Sequence, residues 1–293
     1  MATSTPAASN PMPRLAFPAL VLANIILPLG PVLVRMSDVG PVAAAFWRLA
    51  IALPVLVLLA LPGLRRVPPT RREWSALMWA GIVFAVDLGA WHMGILYTKV
   101  ANATLFGNMS GLFLPAWALL VLRQRPTGPQ AAALALATAG ALVLMGGSYE
   151  LSARNLRGDI LCLFAGLSYM VYLLVVQKAR GRLDSWTVLA GSSVASTPVL
   201  LLCAWALGEA ILPRDWTPLL MLALSSQLVG QGLLTYAVGW FSPMILGLSL
   251  LLQPAVSVVL GWWMFGEWLS PAELFGASAV AAALVLVRLP VRA

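Results

Sequence analysis

Histidine occurs once in these 293 residues, cysteine twice, and charged side chains make up only 10% of the chain. Each scarcity excludes something. A catalytic or structural zinc site draws on three or four protein ligands, and His92 has no second histidine or thiolate beside it, so no metal site and no cofactor is expected. Cys162 and Cys203 fall in apolar runs without disulfide or ligand spacing and read as small packing residues. Paired carboxylates, a His-rich cluster, or a nucleophile beside a base are all missing, which argues against an enzyme. The "GQG" at Gly230 to Gly232 lacks the Lys-Ser/Thr of a phosphate loop and lies within a helical run. What the chain has in excess is apolar surface. Hydrophobic residues make up 61% and mean hydropathy is +0.91, whereas a soluble domain is about 45–50% apolar and about 25% charged. The expected solvent is lipid.

A membrane-spanning helix needs about 20 mainly apolar residues. Breaks marked by charge, Pro and Gly predict ten such helices, at 15–36, 41–62, 74–97, 101–122, 128–147, 156–178, 185–207, 216–239, 243–265 and 271–289. No polar module is interposed, and only "MATSTPAASNPMP", within residues 1–14, reads as a disordered cytoplasmic segment. The run after Arg14 is too long for a cleaved signal peptide. Alternating the loops assigns Arg14, Arg65, Arg66, Arg71, Arg72, Arg123, Arg125, Lys178, Arg180, Arg182, Arg288 and Arg292 to one side. The other side receives only Arg35, Lys99, Arg154, Arg157 and Arg214. The positive-inside bias then places both termini in the cytoplasm. It also accounts for the net charge of +8 as topology signal and attraction to anionic lipid, not as a nucleic-acid surface.

"YTKVANATLFGNMSGLFLPA" (Tyr97 to Ala116) aligns without a gap on "YAVGWFSPMILGLSLLLQPA" (Tyr236 to Ala255). The pairs Tyr97/Tyr236, Ser110/Ser249, Leu112/Leu251, Pro115/Pro254 and Ala116/Ala255 are identical. Each segment is followed by a Pro-marked turn and an Ala-rich helix, so the chain divides into a first five-helix repeat, 15–147, and a second, 156–289. An odd number of helices per repeat makes the second copy enter the membrane from the opposite side. The predicted fold is therefore an all-α integral membrane bundle of two inverted repeats, an architecture suited to transport.

The same segments carry a resemblance. "GPVLVRMSDVGPVAAAFWRLAIAL" and "LLQPAVSVVLGWWMFGEWLSPAELFGASAVAAALVLV", with the five-plus-five layout, resemble the EamA branch of the drug/metabolite transporter superfamily across nearly the whole chain. Pro254, Glu267 and Pro271 are similar to the family's proline, glutamate, serine-proline signature, and Arg48 in "FWRLA" matches its second-helix arginine. The first half departs from the pattern, being three residues shorter between Pro115 and Pro129 than between Pro254 and Pro271 and lacking the glutamate. The resemblance implies export of small metabolites, often amino acids, through the inner membrane of a bacterium, and within the branch the chain is most similar to aromatic amino acid exporters. A nucleotide-sugar or lipid-linked-substrate transporter, or a non-transporting membrane scaffold, are the other readings. The first two call for several cavity cations, and only Arg48 qualifies.

Of ten acidic residues only Asp87 lies deep in a predicted span, which requires it to face protein or a watery cavity. Arg48 lies at a compatible depth, and the two could be a fixed tie between helices or a gate or proton site. At the repeat offset His92 corresponds to Gln231 and Leu88 to Gln227, so symmetry-related faces are expected to meet at a central pocket. The expected binding residues are His92, Trp91, Asn108, Tyr169, Gln227, Gln231, Ser110 and Ser249. Gly107 and Gly111 form G-x-x-x-G, so packing alone also accounts for Asn108. Trp47, Trp91, Tyr169 and Tyr172 are deeper than an interfacial belt, as an aromatic or bulky apolar ligand would favour, whereas Trp74, Trp216 and Trp268 read as belt anchors. Substrate and the lipid bilayer are the only partners expected, and a monomer suffices for alternating access.

Overall fold

Caps and prolines fix where the helices begin. The computed structural model describes residues 12–98, 106–146, 153–265 and 270–286, all helix and connection without a strand among them. Helix α1 (Ala16–Met36) is interrupted after Ile26 and resumes at Leu29. Pro28 and Pro31 have no N–H to give the carbonyls of Asn24 and Leu27, which removes two bonds of the helical ladder around the interruption. Helix α2 (Pro41–Arg66) starts with a proline in its first turn, and the free N–H groups of Val42 and Ala43 donate to the Glu209 carboxylate at 3.3 and 2.7 Å. Helix α3 (Arg71–Tyr97) opens on a reciprocal capping box between Thr70 and Glu73.

Helices α4 (Ser110–Leu120), α5 (Gly128–Gly146) and α6 (Ala153–Arg180) follow. Helix α7 (Ser185–Ala206) is capped by Asp184. In α8 (Thr217–Val238) the turns widen to a π-helix over Ala223–Gln231. Helix α9 has two segments, Pro243–Leu250 and Leu252–Phe265, and α10 spans Pro271–Leu286.

Seven of these helices are long and apolar enough to cross a membrane: α1, α2, α3, α6, α7, α8 and a stretch of α9 over Pro243–Leu260. Ser110–Leu120, Gly128–Val143 and Leu274–Leu286 are apolar but shorter. Large apolar side chains cover the outside, with Leu58, Trp205 and Trp263 well exposed, as a lipid-facing surface requires. Residues 1–11, the 101–105 part of the expected fourth helix, and Glu267 with Trp268 lie outside the described residues.

Packing follows a pattern. Helix α2 lies against α7, α4 against α9, and α5 against α10; α3 packs on α6 as α1 does on α8, and α3 on α7 as α2 does on α8. Every one of these pairs maps onto itself or another when the helix number shifts by five. Small residues allow the close crossings: Ser196 Oγ donates to the Gly81 carbonyl at 2.7 Å where α7 meets α3. A Cβ on Gly140 of α5 would stand 2.8 Å from the Gly276 carbonyl of α10.

Candidate functional site

The break in α1, Arg48 of α2, the C-terminal half of α3, the start of α4, and the middles of α6, α8 and α9 surround a cavity of about 100 Å³. Three kinds of wall meet there. Leu27, Pro28, Gly30 and Pro31 of α1 supply an apolar and backbone wall. Phe84, Trp91 and Tyr169 supply an aromatic one, continued beneath the cavity by Tyr172, whose ring stacks on Phe84 at 4.5 Å and on Tyr169 at 5.9 Å between centroids. Asn108, Ser110, Gln231, Gln253 and Ser257 supply polar groups.

Arg48 and Asp87 both line this cavity, and they do not form an ion pair with each other. Arg48 Nε donates to Gln227 Oε1 at 3.0 Å, and Gln227 Nε2 reaches Ser193 Oγ at 3.4 Å, so the guanidinium is oriented through the π-helical segment of α8. Asp87 takes no hydrogen bond from the described residues. The widened turn of α8 buries Ser226, Gln227, Gly230 and Gln231 against the bundle, in keeping with the frequent use of π-segments at functional sites.

Of the eight binding residues expected from sequence, the cavity gathers five: Trp91, Asn108, Ser110, Tyr169 and Gln231. Tyr169 donates its hydroxyl to Gln231 Oε1 at 3.3 Å, which joins α6 to α8 across the floor. The other three stand behind the wall. His92 is buried, its Nδ1 2.6 Å from the Pro41 carbonyl at the start of α2. Gln227 holds Arg48, and Ser249 accepts from Asn24 Nδ2 at 3.3 Å while donating to the Leu246 carbonyl at 2.7 Å. Trp47 is not part of the cavity lining: its ring lies 4.8 Å from Trp216 and its Nε1 donates to the Ile211 carbonyl at 2.6 Å.

Gln253, Ser257, Phe84 and Asn24 are functional candidates that sequence reasoning passed over. The available signal was a polar side chain in mid-span, which is costly without a purpose; Gln253 sits inside the quoted repeat segment opposite an apolar position, Leu114.

Among known proteins, the EamA-like transporter family matches this chain over two stretches, residues 15–146 and 156–289. An uncharacterized transporter of Archaeoglobus fulgidus is 22% identical over 241 residues, covering 80% of this chain and 83% of the relative. The threonine/homoserine exporter RhtA of Escherichia coli K12 is 30% identical over 179 residues, 57% of this chain and 61% of RhtA. A solved crystal structure at 17% identity superposes with a TM-score of 0.77 over 94% of this chain and 95% of that one, a likeness of fold.

Proposed function

We propose, from the premise that the chain belongs to the EamA-like transporter family, that it exports amino acids from the bacterial cytoplasm across the inner membrane by alternating access. The observation that carries this reading is a cavity lined by one arginine and one aspartate that are not bonded to each other. Opposite charges held apart inside a membrane bundle are costly unless something lies between them. An α-amino acid zwitterion supplies the missing partners. Its carboxylate matches the planar fork of Arg48, and its ammonium matches Asp87. The apolar body of its side chain then packs on Trp91, Phe84 and Tyr169.

The transport cycle needs two gates. Ten spans arranged as two inverted five-helix repeats, 15–147 and 156–289, supply them, with both termini cytoplasmic. The helix pairing that repeats on a shift of five supports this arrangement, as does the excess of cations on the cytoplasmic loops. The cavity then lies toward the outer side, and the Phe84, Tyr169 and Tyr172 rings form its cytoplasmic floor. Substrate enters when that floor opens. The exporter named for RhtA supports an amino-acid cargo; the aromatic wall supports a side chain with a substantial apolar face.

The test is uptake of labelled amino acids into liposomes holding the purified protein, with and without a proton gradient, against their decarboxylated and deaminated analogues. Arg48→Gln abolishes preference for the carboxylate and Asp87→Asn abolishes preference for the ammonium. Gradient dependence lost only in Asp87→Asn identifies Asp87 as a proton site as well. Folded wild-type protein that moves no amino acid above empty liposomes overturns the reading, and directs the search to nucleotide-sugar and lipid-linked substrates.

A further inference from the structure

A chain of buried amides fixes one more group of the cavity. Asn24 Nδ2 donates to the Leu20 carbonyl at 2.8 Å and to Ser249 Oγ at 3.3 Å. Ser249 in turn gives its hydroxyl proton to the Leu246 carbonyl at 2.7 Å. Both ends of this relay are backbone carbonyls, which only accept, so its direction is chemically forced. Both Asn24 N–H bonds are spent, and its Oδ1 remains as an acceptor. Gln253 Nε2 meets that oxygen at 2.8 Å, so Gln253 must donate. The amide of Gln253 therefore cannot flip without breaking the relay. Its Oε1 receives no hydrogen bond from the described residues, is not among the enclosed orphan atoms, and belongs to a side chain that lines the cavity.

The geometry points to Gln253 as a specificity-determining residue: its oriented Oε1 selects substrates whose side chain carries a hydrogen-bond donor. This rests on the amino-acid reading of the same cavity and adds to it a rule for the side chain. A ligand with a hydroxyl gives Oε1 a partner. An apolar ligand of equal shape displaces water from Oε1 and returns nothing, and an acceptor stripped of its partner is penalised more than a made bond is rewarded. Discrimination of this kind by a built polar group is larger than discrimination by a methyl group. Asn24 and Ser249 are positioning residues here, since they hold the amide and do not line the cavity.

Matched pairs test it in proteoliposomes: threonine against valine, and tyrosine against phenylalanine, each pair differing in one donor. Wild-type flux favours the hydroxyl-bearing member of whichever pair is carried by about tenfold. Gln253→Met and Gln253→Leu bring the ratio to within about twofold of unity, and Asn24→Leu, which frees the amide, gives an intermediate ratio. Ratios within one preparation do not depend on how much protein is folded. A wild type that carries a pair without preference overturns the inference and leaves the amino-acid reading standing. So does a preference that survives Gln253→Met. A wild type that carries no amino acid overturns both.

Discussion

The charged pair and the lone histidine divide their work by what each can reach. Arg48 touches the cavity but is aimed by Gln227, whose Oε1 accepts from Nε at 3.0 Å. Gln227→Leu leaves that N–H without an acceptor and lets the guanidinium swing. Half-saturating substrate concentration is expected to rise about tenfold, the order of one hydrogen bond to a charged group, with little change in the amount of folded protein. An unchanged concentration dependence would show that Arg48 is not aimed through Gln227. His92 is the opposite case. Its ring joins α3 to the first residue of α2 through the Pro41 carbonyl, so His92→Ala is expected to lower stability by roughly 1–3 kcal/mol. The ratio of threonine to valine transport stays at its wild-type value. Thermal unfolding in detergent reads the first effect and competition flux the second; a changed ratio would put His92 in contact with substrate after all.

Two devices belong to whole helices. Where α4 crosses α9, a Cβ placed on Gly247 would lie 2.8 Å from the Gly111 carbonyl and from Pro115 Cγ. Backbone and a proline ring cannot move aside. Gly247→Ala is therefore expected to cost about 1–3 kcal/mol through overpacking and to lower the yield of folded protein, while Gly89→Ala, with open space around its Cβ position, is neutral. The second device is a latch at the expected cytoplasmic end of α6. Arg180 donates to the carbonyls of Thr235 and Tyr236 on α8 and of Leu183, at 3.0, 3.4 and 2.5 Å, and Gln177 donates to the Phe241 carbonyl at 2.6 Å. In the proposed cycle the opening of the cavity floor parts α6 from α8, so the bonds of Arg180 to Thr235 and Tyr236 and of Gln177 to Phe241 break. Arg180→Ala is expected to speed thiol labelling of Thr235→Cys about tenfold in inverted vesicles, in a chain freed of Cys162 and Cys203. An unchanged rate would remove the latch from the cycle. Neither device was legible beforehand. Hydropathy located the seven helices that are long and apolar enough to cross a membrane, because lipid demands such runs, yet the two-residue gap in α1 and the π-segment of α8 barely disturb an apolar run. That small shift decides which of Gln227 and Gln231 reaches the cavity, just as the turn of α3 decides between Trp91 and His92.

At the scale of the molecule, the five identities recurring at one offset foreshadowed the two stretches that match the family, 15–146 and 156–289; which deep polar groups would meet was not legible, since contacts across 139 residues leave no local period in the sequence. The topology now carries two independent constraints. Asp38, between α1 and α2, accepts the Arg214 N–H at 2.7 Å, which puts the α1–α2 and α7–α8 connections at one end of the bundle. Arg182, between α6 and α7, pairs with Glu73 and donates to the Pro68 carbonyl at 2.9 Å, which puts the α2–α3 and α6–α7 connections together. These two ends must face opposite sides of the membrane, because the spans α2 and α7 each run from one to the other. The arginine-rich end, with Arg65, Arg66, Arg71 and Arg72, is expected in the cytoplasm. Single cysteines settle it, each in a chain freed of Cys162 and Cys203. Asp38→Cys and Arg214→Cys are expected to react with an impermeant thiol reagent in intact cells, and Arg72→Cys and Arg182→Cys only after permeabilisation. Reversal of all four would invert the bundle and turn the proposed exporter's outer cavity toward the cytoplasm. A split within either pair would contradict the helix pairing itself, because Asp38 is bonded to Arg214 and Arg182 to Glu73, the neighbour of Arg72, and such contacts at one end of a bundle cannot lie on two sides of a membrane.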